Sequence, residues 1–398
     1  MLKTLTTPPI FARERSYFKT VSVKNINVNV LFGEPERLLV DEITKNLPFS
    51  KILFLQNTNL FFSSGLKLIE RLKRSGIEVI SVLIDENDLL SLESVCGIFR
   101  ASEEVRGVVA LGEKAFEVAK YYSSVSGARF FAVANSFLPF DFFNPKLYIK
   151  NGKMVDSVSV PTTQTIVIDE NSFFNSDISL LVGSFLAEGY FSLVDAKLSG
   201  ELLDEWYERL KKEFFHLVDL SFLSNADNFS NDAQKLFRLF IDYAENFYNR
   251  LSGRAFNSCI RSVLFLYYGG FRRDHSLSVR TALKIFSVIE NFMENPVTLE
   301  PCDFRKRVEE VKSMVGLEEN AILTSLVFQQ RFLYGKNFQD FFSDSVELWK
   351  LKKILASSMK ESSYDEQKFS LAVKHCGDTT LNINVASLLR HLGALEKV

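Results

Sequence analysis

Apolar positions in the first 170 residues follow two alternating rhythms. Short, almost wholly apolar runs at 52–56 (ILFLQ), 107–111 (GVVAL) and 129–134 (RFFAVA) read as strands buried on both faces. Residues 27–32 (NVNVLF), 78–84 (EVISVLI) and 165–169 (TIVID) add three more. Between them lie stretches of helical period: 34–47, then 65–75 with Leu66, Leu68, Ile69 and Leu72, then 88–99 and 114–124. Strands and helices alternating at this spacing predict crossover connections and a mostly parallel sheet covered on both faces. Asn151 and Gly152 separate two further short runs and predict a hairpin.

After Asp169 the helical period dominates. It covers 178–198, 201–220, 232–251, 256–268, 278–293, 303–314, 320–334, 345–357 and 385–395, with breaks at Pro296 and Pro301. The chain thus divides near residue 170. Residues 1–170 read as an α/β doubly wound parallel-sheet domain of nucleotide-binding type, and 171–398 as an all-α helical domain. Such sheets bind ligands at the carboxyl ends of their strands, so the expected site is a cleft between the halves.

Composition narrows the function class. The chain of 398 residues carries 47 Lys+Arg against 49 Asp+Glu, so it lacks the basic excess of a nucleic-acid binder. Its 38 Phe predict an aromatic core. The longest strongly apolar run, 262–271, is too short to span a membrane. Pro8, Pro9, Arg13, Glu14 and Arg15 interrupt any apolar N-terminal signal, so a cytoplasmic location is expected. Cys96, Cys259, Cys302 and Cys376 lie far apart without a CxxC pair and read as buried thiols.

Two places could carry chemistry. Gly112, Glu113 and Lys114 join a strand to a helix, where backbone N–H groups can face a pyrophosphate. A single glycine beside a carboxylate favours a plain turn instead. Arg272 and Arg273 stand just before His275 and could grip a phosphate or carboxylate, with His275 as a general acid; a surface turn of mixed charge is the simpler reading. His216 sits among Phe214, Phe215, Leu217 and Val218 and reads as a core or boundary histidine; His375 and His391 have no ligand-type spacing.

Order and local sequence resemble the glycerol-1-phosphate dehydrogenases, whose wider superfamily includes glycerol dehydrogenase, iron-containing alcohol dehydrogenases and 3-dehydroquinate synthase. Val30 to Gly33 looks like the opening strand and turn, and Leu66 to Val82 like the second unit. Gly107 to Lys120 looks like the strand, GGGS loop and DVAK helix, and Phe131 to Pro145 like VPTTASHDGFASP. Leu181 to Asp195 looks like GFGD with a later DW, Asp274–His275 like SEHH, and Val315, Gly316 and Glu318 like HGE.

The resemblance implies a dehydroquinate synthase-like fold and NAD(P)-linked hydride transfer assisted by a metal held by one Asp and two His. It implies cofactor contacts at Gly112, Glu113, Lys114 and Ser136. The metal positions fall on Ser184, His275 and Val315, so one imidazole survives and no metal is expected. Asp141 stands near the family's polar substrate contacts, and it and His275 are the catalytic candidates.

Three readings follow. The first is a divergent relative without the metal or the dehydrogenase reaction, which binds a small anionic or phosphorylated ligand through Lys114, Arg272, Arg273 and His275, or serves as a homo-oligomer or partner subunit. The second is a working NAD(P)-dependent polyol-phosphate dehydrogenase. The third is another enzyme of the dehydroquinate synthase branch.

Overall fold

The computed structural model describes residues 19–23, 26–84, 97–98, 104–134, 139–144, 146–151, 154–160, 163–174, 176–223, 229–252, 258–268, 274–294, 304–315, 319–320, 322–324, 326–327, 345–359, 363–378, 384–392 and 394–397. Strands β1 (Lys19–Val23), β2 (Ile26–Gly33), β3 (Lys51–Asn57), β4 (Glu78–Ile84), β5 (Gly107–Leu111), β6 (Arg129–Ala134) and β9 (Thr165–Asp169) form one sheet in the order β1-β2-β9-β6-β5-β3-β4. β1 pairs antiparallel with β2, and every other pairing is parallel. Ile166 lies between Val30 and Ala132, a register that brings the strand ends Gly33, Asn57, Leu111, Ala134 and Asp169 to one edge. β7 (Lys146–Asn151) and β8 (Met154–Ser159) form the expected hairpin.

The uninterrupted apolar runs have a simple cause: both sheet faces are covered. Ile52, Phe54, Val109, Leu111 and Phe131 face helices α1 (Pro35–Asn46) and α2 (Leu66–Arg74). Their neighbours Leu53, Leu55, Val108, Ala110 and Phe130 face the other way, into a core shared with α3 (Glu113–Ser126). The same core continues unbroken into the helical half through Phe140, Phe142 and Phe143 of the short helix α4 (Pro139–Phe143) and Phe173 of α5 (Glu170–Phe174). Alternation along a strand sends successive side chains to opposite faces, so both rows are apolar.

The helical half comprises α6 (Ile178–Leu198), α7 (Asp204–Leu223), α8 (Phe229–Arg250), α9 (Cys259–Tyr268), α10 (His275–Glu294), α11 (Phe304–Val315), α12 (Ser345–Ser358), α13 (Glu366–His375) and α14 (Val385–His391). α6 is its axis and packs against α7, α9, α10 and α12. By length and composition α6 could cross a membrane, a longer apolar helix than the sequence suggested, but 83% of its 18-residue apolar window is buried inside the protein. A Cβ on Gly183 would stand 2.1 Å from the Ser358 hydroxyl, so glycine there lets α12 approach α6 closely. The phenylalanines pack inward: Phe185 stacks on Phe240 at 3.9 Å between ring centres, and Phe173 meets Phe237 edge-on at 4.8 Å.

Among the described strands and α-helices, β1, α4, α5 and α13 have no counterpart in the sequence reading. His216 departs from it too. The turn of α7 directs Phe214, Phe215, Leu217 and Val218 inward and leaves His216 exposed. Cys259 and Cys376 are buried thiols, and burial pushes both well above the usual thiol range. Cys96, Cys302, most of the helix expected at 88–99 and much of that at 320–334 lie outside the described residues.

Candidate functional site

The site is built around one face of α6. Most of this helix is apolar, yet Ser184, Glu188, Ser192 and Asp195 recur every three or four residues and so share a face. All four are at least 97% buried. A buried polar row of this kind needs partners, because an unpaired polar group in the interior costs about 1–3 kcal/mol.

The partners come from three other elements. Ser184 Oγ and His275 Nδ1 share a hydrogen bond of 2.9 Å, whose donor is set by the imidazole tautomer. Two of the three positions expected from the resemblance to hold a metal are therefore adjacent. One turn along each helix, the Ser278 hydroxyl donates to Glu188 at 3.5 Å. Arg261, in the first turn of α9, brings its guanidinium to 3.9 Å from Glu188 and 2.5 Å from Asp141. At the far end of the row the Asp195 carboxylate accepts the Cys259 and Val385 N–H groups, each at 2.7 Å.

His275 opens α10. Asp274 precedes it as the cap, accepting from the Leu277 N–H at 3.0 Å and from the Tyr268 hydroxyl at 2.6 Å. Asp141 is held by α4, which is tied down from both halves. The Lys120 ammonium of α3, 1% exposed, donates to the carbonyls of Asp141 at 2.8 Å and Asn144 at 3.2 Å. From α8, the Tyr248 hydroxyl donates to the Phe140 carbonyl at 2.8 Å. Lys120→Met leaves two carbonyls without their cationic donor. We expect a loss of about 1–3 kcal/mol in urea unfolding. A loss below about 0.5 kcal/mol would remove Lys120 from that positioning role.

The turn at Gly112 lies at the same sheet edge. Gly112 has φ 101°, and a Cβ there would meet the Asn57 amide at 2.5 Å. Asn57 reaches in from the end of β3 and accepts the Ala115 N–H at 3.1 Å. A side chain thus occupies one of the helix-start donors that a phosphate would use. Glu113 and Lys114 form the first residues of α3, and Lys114 is 7% exposed. Ser136, Arg272 and Arg273 lie outside the described residues. Val315 is the last residue of α11.

The donor set does not suit a divalent metal. Among the described residues no three His, Cys, Asp or Glu side chains converge as metal ligands. Ser184 is a neutral hydroxyl paired with the imidazole, and the nearby carboxylates face a guanidinium. A divalent ion about 4 Å from that guanidinium would be repelled by about 8 kcal/mol even at an effective dielectric constant of about 20. Glu188 and Arg261 were not singled out from sequence. The signals were present: Glu188 follows Ser184 by one turn, and Arg261 is the charged residue of a largely apolar helix.

No family model and no curated protein matches the sequence. Solved structures do match across nearly the whole chain. An iron-containing alcohol dehydrogenase from Thermotoga maritima is 10% identical, with 95% of this chain and 99% of that one covered at a TM-score of 0.55. For the alcohol dehydrogenase of the archaeal halo-thermophilic Red Sea brine pool the values are 14%, 96%, 100% and 0.57. For glycerol dehydrogenase from Schizosaccharomyces pombe they are 10%, 97%, 91% and 0.52. With its parallel sheet followed by a helical half, the chain has the fold of the iron-containing alcohol dehydrogenases.

Proposed function

We propose that this protein has the dehydrogenase fold without the metal-assisted alcohol oxidation, and that it binds a small anionic or phosphorylated ligand between the sheet edge and the helical half. The observation that carries this reading is the Ser184–His275 pair: a hydroxyl stands where the resemblance implies a carboxylate ligand. A neutral hydroxyl hydrogen-bonded to the imidazole is a poor substitute for a charged metal ligand. Lys114 at the start of α3 and the Arg272–Arg273 pair before His275 supply the cationic groups for an anion.

A nicotinamide-dependent polyol-phosphate dehydrogenase is the second reading, favoured by the likeness to dehydrogenase structures. One experiment separates them. Purified protein is assayed for NAD+ and NADP+ reduction with glycerol 1-phosphate and glycerol, with and without added zinc or iron. Thermal unfolding is followed in parallel with phosphate, pyrophosphate and each nucleotide. We expect no turnover, and a rise in Tm with phosphate or pyrophosphate as ligand binding stabilises the native state. Sustained NAD(P)H production would establish the second reading instead.

A further inference from the structure

The charges around Glu188 suggest what balances this site. Asp141 arrives from the sheet half on α4, Glu188 from the buried face of α6, and Arg261 from α9. Their side chains are 17%, 3% and 15% exposed, so all three are largely withdrawn from water. Buried carboxylates that face one guanidinium are stabilised by its charge. The Arg261 guanidinium meets both, at 2.5 Å from Asp141 and 3.9 Å from Glu188. Its own helix does not favour it there. Arg261 is the third residue of α9, at the helix end that carries partial positive charge and repels a cation. The carboxylates therefore hold it in place. The same group of side chains includes Ser278, which donates to Glu188, and the Ser184–His275 pair one turn away.

We propose that Arg261 is the site's own fixed cation: its guanidinium, clamped between Asp141 and Glu188, takes the role of a divalent ion and closes the site to metals. This deepens the reading of a site without a metal centre and rests on it. A guanidinium balances the charge of both carboxylates by ion pairing. It offers no open coordination position on which a substrate oxygen could be polarised.

The test uses the full chain and three single variants, with zinc as the probe. Wild type, Arg261→Lys and Arg261→His are incubated with zinc, desalted, and measured for bound metal and Tm. Wild type and Arg261→Lys keep a cation at this position and should retain no zinc, with Tm unmoved. Arg261→His replaces the cation with an imidazole beside two carboxylates. It should retain about one zinc per chain and gain Tm with zinc. About one zinc retained by wild type overturns the proposal, as does a folded Arg261→His that takes up none. If Arg261→His shows no cooperative unfolding, the readout moves to Arg261→Met with and without Glu188→Gln. The single change should lower Tm and the second should recover at least about half of the loss, the coupling expected of a charge pair. No recovery overturns the proposal. The broader functional reading fails separately: NAD(P)-linked turnover without metal sinks that reading alone, whereas zinc uptake by an inactive wild type sinks only the role of Arg261.

Discussion

Asp195→Ala should cost about 2–6 kcal/mol, among the largest single-residue losses in the molecule, because it orphans two buried N–H groups at about 1–3 kcal/mol each. Asp195 is completely buried. It accepts from the first N–H of α9 at Cys259 and the first N–H of α14 at Val385. One carboxylate thus closes two helix starts that lie 126 positions apart in sequence (385 − 259) and ties both to α6. Equilibrium unfolding in urea measures the loss, and a change under about 1 kcal/mol would contradict this role.

The same residue makes a pH prediction. Burial is the largest influence on Asp195 and raises its pKa from 3.8 to about 7, with the two N–H groups holding the rise back. Between those two values the native state binds a proton that the unfolded chain has released. Stability therefore falls as pH rises from about 4 to about 7, and the cost of the buried charge is complete above that range. The full loss across that range is roughly 4 kcal/mol at most. Asp195→Asn does not titrate. The stability gap between wild type and this variant should therefore change across pH 4–7, always to the relative disadvantage of wild type at the higher pH. Parallel curves would show that Asp195 does not titrate in this range.

Phe140→Ala should lose about 3–5 kcal/mol, as expected for an aromatic ring removed from a packed core. Phe140 is 2% exposed, stacks on Phe185 at 5.0 Å and meets Tyr243, Phe247 and Tyr248 edge-on. It is the apolar anchor by which α4 enters the helical half, and Asp141 is the next residue. The substitution should therefore loosen the Asp141–Arg261 pair as well as the core. Phe140→Leu refills most of the volume and should recover more than half of the stability. If both variants unfold like wild type, α4 is not anchored through this ring.

The α/β half was legible because its strands are short, apolar and evenly spaced, which is what a sheet covered on both faces demands. α6 was legible from end to end, since its long run of mostly apolar residues keeps helical spacing and is bounded by Asp177, whose carboxylate accepts the Leu180 N–H. β1 and α4 were not. β1 reads KTVSV, with two apolar positions, and takes its strand form from pairing with β2. α4 is a short PFDFF segment whose helical turn is held by Lys120 and Tyr248 from distant elements.

The site divides in the same way. Ser184 and His275 were chosen by resemblance in motif order, and the fold brings them to 2.9 Å. Arg261 and Glu188 carry no motif. Their meaning depends on which charge stands opposite, and linear order does not record that. The sequence alone determined the class of architecture, because periodicity is a property of the chain itself. The tertiary structure alone decided which groups share a buried site, since Asp141, Glu188 and Arg261 meet only when three separate elements pack and exclude water from their charges.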